Sequence, residues 1–258
     1  MVDTPNPFDS PHNDASDSAL TSGPNPHYRR DGIFTLVLIG AVGLFLLFCL
    51  WSFIRNPRPE AVLHHNRNQL KVIALGLHNY YDTHGQFPPA YVADTDGKPL
   101  YSWRVLILPM IGEGALHKQF DLSEPWDSPN NLLLVRQMPD CFHSPYHEND
   151  AGRTPYQALV DESGSRTMIK RTAGRTFDTI GDGTSNTAML IANFNAPIFW
   201  TEPNDTDPAK FLRRFRPGDY EHEVAIAYGD GSVQGLTDDL RTVLPAAMYA
   251  NDGKVPPR

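Results

Sequence analysis

Cys141, His143, His147, Glu148 and Asp150 stand close together in the chain. Thiolate and imidazole suit zinc, and a carboxylate can complete the set. The segment could therefore serve a metal-dependent enzyme. However, the spacing Cys-x-His-x3-His matches no common zinc pattern, and Pro145 interrupts it. A polar loop with an incidental cysteine, holding no metal and no cofactor, is the expectation. Asp94 and Asp96 before Gly97 could offer oxygens to calcium, but the long loop with a closing Glu is absent, and an Asx turn is the simpler reading. Asp182-Gly183-Thr184-Ser185-Asn186 could suggest an anion nest or a nucleophilic serine. It lacks the Gly-x-Ser-x-Gly elbow, and its residue types suit a tight turn closed by side-chain-to-backbone hydrogen bonds. His64, His65, His78 and His84 fall on or at the end of one helical segment and read as solvated or rim residues, with His78 turned to a sheet edge. Trp103, Trp126 and Trp200 could form a ligand platform, although scattered tryptophans more often anchor a core. No catalytic residue emerges. The candidate binding loop is the long stretch 197–218, which carries Trp200, Phe211 and Phe215.

These groups need elements to hold them. Residues 33–54, IFTLVLIGAVGLFLLFCLWSFI, carry no charge. At about 1.5 Å per residue, a helix of this length reaches roughly 33 Å, enough for a hydrocarbon core of about 30 Å. Trp51 suits the membrane interface. A single-pass transmembrane helix at 32–55 follows, with the lipid bilayer as its partner through 33–54. The preceding tail, 1–31, is rich in Pro, Asn, Asp and Ser and is expected to be disordered. Pro57 and Pro59 end the span. Leu63, Leu70, Ile73 and Leu77 then form an amphipathic stripe from Glu60 to a stop at Gly85, Pro88 and Pro89. Ser102–Ile111 and Asn130–Met138 read as short helices. Beyond them the period changes to that of short strands, at 156–160, 187–192, 224–228 and 232–236. Val224–Tyr228, Gly229-Asp230-Gly231 and Ser232-Val233 give the clearest hairpin signal, with Ile226 and Val233 facing inward. Asp238 or Asp239 can cap a last helix running to about Ala250. Helices first and antiparallel strands later make residues 56–258 one α+β domain.

The formal net charge of −8 argues against nucleic acid as a partner. Of the two cysteines, Cys49 lies in the span and Cys141 in the domain, so no disulfide forms within the domain. Arg29 and Arg30 precede the span, whereas Arg55, Arg58, Arg67 and Lys71 follow it. That count alone slightly favours a cytoplasmic domain.

Several of these residues also resemble a known family. Asn68–Tyr80 with Gly85-Gln-Phe-Pro-Pro-Ala90, Ser102-Trp103-Arg104 through Pro109, Glu124-Pro-Trp-Asp-Ser-Pro129, Asp182–Thr187, Trp200-Thr-Glu-Pro203 and Asp230-Gly-Ser-Val233 are similar, in order, to motifs of the pilin-like family called domain of unknown function 1559. The resemblance implies a type IV pilin-like or pseudopilin-like architecture, in which a membrane helix leads into a helix packed on an antiparallel sheet outside the cytoplasm. It also places the chain in the inner membrane of a bacterium. The family has no established activity, and an older label refers to solute binding.

Two departures stand out. The family's start, Gly-Phe-Thr-Leu-x-Glu, is here Gly32-Ile33-Phe34-Thr35-Leu36-Val37, with one residue inserted and the acid replaced. The tail is therefore expected to stay attached and the chain not to polymerise as a pilin. The family's histidine before the hairpin falls at Tyr220, with His222 two residues late. The reading that follows is a membrane-anchored, pilin-like structural or interaction protein of the cell envelope, with envelope proteins as possible partners and no catalysis. Its rivals are a membrane-tethered solute- or glycan-binding module using the Trp200 loop, and the metal-dependent enzyme of the Cys141–Asp150 segment.

Overall fold

In the computed structural model, residues 26–55, 59–147, 151–215, 224–236 and 240–256 are described. The chain divides into two units, 1–57 and 58–258. The first holds helix α1, Pro26–Arg55. Its stretch Phe34–Trp51 is long and apolar enough to cross a membrane, and Phe34, Leu44, Phe48 and Trp51 are all exposed. The helix starts earlier than the sequence suggests, at Pro26. Pro26 opens it at a position where a missing N–H costs nothing. Residues 1–25 lie outside the described residues.

The second unit begins with α2, Pro59–His84, whose Leu70, Ile73, Ala74 and Leu77 are fully buried. Each fully buried aliphatic side chain contributes about 1.5–3 kcal/mol. A hairpin follows, β1 (Tyr91–Ala93) with β2 (Pro99–Ser102), turning at the expected Asp94–Gly97 site. Ser102 then caps α3 (Trp103–Leu106), a 3-10 turn runs Leu108–Ile111, and Gly112 closes it at φ +88°. Short helices α4 (Gly114–His117) and α5 (Pro129–Leu132) follow, the latter continued by a 3-10 turn, Leu133–Gln137. Strand β3 (Arg153–Thr154) pairs antiparallel with β6 (Ile198–Phe199).

The main sheet has four antiparallel strands in the order β4 (Tyr156–Ala158), β5 (Ala188–Ala192), β7 (Val224–Tyr228), β8 (Val233–Leu236). Both of its faces are covered, which is why Val-Ala-Ile-Ala-Tyr reads as a continuous apolar run. Ala225 and Ala227 join the cluster of α2, while Val224, Ile226 and Tyr228 join a second one. That second layer is α6 (Pro208–Arg214) and α7 (Leu240–Ala247), through Phe211, Val243 and Leu244. A register shift between Ala188 and Leu190 lets Met189 and Leu190 share the α2 side.

Several expectations need correcting. The stretch 197–218 is not one long loop. It supplies β6 and α6 up to Arg214, and residues 216–218 lie outside the described residues. Apolar spacing in so short a helix leaves no period to read. The last helix stops at Ala247 rather than Ala250, because Ala250 instead donates its N–H to Arg166 O and accepts from Asp182 N. Its proposed caps, Asp238 and Asp239, lie outside the described residues. Ile226 is fully buried, but Val233 is only half-buried, since β8 is an edge strand.

Gly231 turns the β7–β8 hairpin at φ +84°. A Cβ there would meet only the His78 ring, at 3.6 Å, so backbone conformation alone demands glycine. Gly231→Val should destabilise the detergent-solubilised protein by roughly 1 kcal/mol or more. An unchanged thermal midpoint would contradict this.

Candidate functional site

One motif stretch, Ser102-Trp103-Arg104, meets Asp205 in a buried ion pair. Ser102 ends β2 and caps α3, which sends Arg104 inward, fully buried. Its guanidinium donates from Nε and Nη2 to Tyr156 O at 3.0 and 2.9 Å, and from Nη1 to Ser102 Oγ at 2.6 Å. Nη2 also meets Asp205 Oδ1 at 2.7 Å. The same oxygen accepts from Ala158 N at 2.7 Å and from Trp103 Nε1 at 3.3 Å. Burial lowers the guanidinium's pKa and raises that of the carboxyl, and their mutual attraction opposes both shifts. Alongside, Thr206 N donates to Ala158 O and Val160 N to Thr206 O. The segment 205–206 thus occupies the outer edge of β4.

Beside this edge lies a cleft of about 490 Å³. Its walls include Gln157, Asn193, Asn195, Asn204, Asp205 and Lys210, with the buried Ile198 and Phe211 behind them. Thr206 Oγ1 donates to Gln157 Oε1 at 2.6 Å, Gln157 Nε2 to Ala196 O at 2.6 Å, and Asn193 Nδ2 to Thr206 Oγ1 at 3.3 Å. A chain of buried amides and hydroxyls is thereby fixed in orientation. A smaller cleft of about 330 Å³ lies against the same 204–210 segment, where Lys210 Nζ meets Glu162 at 2.7 Å.

The residues singled out in the sequence are dispersed. Trp200 is fully buried, stacks on Phe142 at 5.8 Å and donates Nε1 to Val135 O at 2.9 Å. Phe211 and Phe215 stack at 6.0 Å in the other cluster, so the three aromatics form no common platform. Trp103 is buried, and Trp126 is half-buried against Phe199. Asp230 is exposed, and its Oδ1 accepts from Ser232 N and Oγ, as a turn residue does. Asp94 Oδ1 likewise accepts from Asp96 N and Lys98 N. Asp182 does more than close a turn, because its carboxylate also accepts from Asp252 N and Gly253 N and so fastens the C-terminal segment.

Cys141 is buried, and burial, helped by the charge of Glu113, pushes its thiol up to about 12. His143 and His147 are half-buried, with His147 stacked on Phe194. Glu148 and Asp150 lie outside the described residues, as do Tyr220 and His222. Among the described residues no three His, Cys, Asp or Glu side chains converge as metal ligands. The amide cleft was not legible in advance. Its one local signal was Gln157, a polar residue in a buried strand.

The chain belongs to the family described as protein of unknown function DUF1559, whose model, SBP_bac_10, matches residues 66–210. The matched stretch contains Arg104, Asp205 and the cleft wall as far as Lys210, and it stops short of the Asp230-Gly231 hairpin. No curated protein and no solved structure matches the chain.

Removing one partner of a buried pair leaves the other charged and dry, at a cost of about 3–5 kcal/mol. Arg104→Met should therefore lower stability by about that much in chemical unfolding of the solubilised chain. A loss below about 1 kcal/mol, the range of a surface pair, would contradict the assignment.

Proposed function

We propose that this DUF1559 protein is a pilin-like module of the bacterial cell envelope, held by one pass through the inner membrane, with residues 58–258 outside the cytoplasm. It acts in structure or interaction rather than catalysis, and its partners are the bilayer and other envelope proteins. The observation that carries the reading is the pairing of an apolar, exposed helix at Phe34–Trp51 with a following unit in which one long amphipathic helix covers one face of an antiparallel sheet. Aliphatic side chains that no protein contact covers need hydrocarbon around them. Burial, which pushes the Cys141 thiol up to about 12, speaks against a thiolate nucleophile at that position. Trp200, buried in the core, speaks against a ligand platform built on that side chain.

The test is topological. Membranes washed in alkaline carbonate should retain the protein in the pellet, and protease added to spheroplasts should digest residues 58–258. Release by carbonate would remove the anchor from the account. A protected domain with a clipped N-terminus would invert it.

A further inference from the structure

We propose that the amide-lined cleft between the 193–198 and 204–214 segments binds a neutral carbohydrate, of about disaccharide size. At about 490 Å³ it falls in the range of small-molecule sites, about 300–1,000 Å³. Asparagine and glutamine side chains present a donor and an acceptor side by side, matching neighbouring hydroxyls of a sugar, each of which both donates and accepts. Gln157, Asn193, Asn195 and Asn204 line the cleft. Gln157 already spends its amide on Thr206 and Ala196 and serves to orient the wall, while Asn195 and Asn204 stand exposed at the rim.

Two of the acceptors there are unused. Asp205 takes its three hydrogen bonds on Oδ1, and among the described residues Oδ2 has no protein partner although the side chain is only 4 % exposed. Asn193, also buried, uses its Nδ2 toward Thr206 and leaves Oδ1 without a protein partner among the described residues. Oriented acceptors in a partly dry wall bind hydroxyl donors more strongly than they would in water, because their orientation is fixed in advance by the Arg104 and Thr206 bonds. Ile198 and Phe211 border the cleft from within the core, so a ligand there is held mainly through its hydroxyls.

Charge selects a neutral ligand. Asp205 and Asp207 stand in the same wall as Lys210 and Arg214, and Lys210 is already bridged to Glu162. An extended peptide is disfavoured, because the β4 edge it would join is filled by residues 205–206.

The experiment uses the full chain in lipid nanodiscs with cellobiose, maltose and N,N′-diacetylchitobiose, read by saturation-transfer difference NMR and titration into the millimolar range. At least one of the three should show saturation transfer, and that sugar's affinity should fall at least tenfold in the double variant Asn195→Ala, Asn204→Ala. Both residues are exposed, and a melting curve of the variant, still cooperative, shows that it is folded. No transfer to any of the three from folded protein would overturn the proposal. So would undiminished binding by the folded double variant, which would place the sugar elsewhere.

Discussion

Arg104 has no access to water, and a guanidinium without water must find its hydrogen bonds within the protein. It finds them in Tyr156 O, Ser102 Oγ and Asp205, drawn from three separate stretches of chain. Asp205 in turn holds Ala158 N and Trp103 Nε1. One charged pair thus pins the entry to α3, the outer edge of the sheet and the segment that walls both clefts. Desolvation is the dominant influence on both charges, so the pair is costly to bury and costlier to break. What it secures is a specific arrangement: the 205–206 segment laid against β4, with the cleft beside it.

The sheet is the second constraint. Its strands alternate between two cores, one beneath α2 and one beneath α6 and α7. Alanines at 225 and 227 leave room for the long helix, while valine, isoleucine and tyrosine at 224, 226 and 228 fill the opposite side. The unit is therefore layered, helix on sheet on helix, and its long helix still has exposed apolar residues in Val72 and Leu75.

Much of this was legible in the residues. The stripe Leu70, Ile73, Leu77 gave α2, and Gly85 with two prolines gave its end. Gly229-Asp230-Gly231 gave the hairpin, and the uncharged run gave the apolar helix. These signals are local, set by period and turn chemistry. Seven-residue α6 and two-residue β3 and β6 carry too few residues for a period to show, so 197–218 passed for a loop. The Arg104–Asp205 pair spans 101 positions, and no spacing rule reaches that far. Ser102-Trp103-Arg104 and Trp200-Thr-Glu-Pro203 were visible as motifs, but not that the first would be bonded to a residue just beyond the second. The cleft was hidden for the same reason, since its amides come from three separate segments that only the fold brings together.

The central claim is that Arg104, through Asp205, fastens the 204–206 segment to the edge of β4. Hydrogen exchange resolved to single amides tests it most directly, comparing the full chain with its Arg104→Met variant. The account predicts slow exchange at Ala158, Val160 and Thr206 in the wild type. In the variant these three should accelerate well beyond Ile226 and Ala227 in the middle of the sheet. Uniform acceleration of both groups, or fast exchange at Ala158 in the wild type, would contradict it.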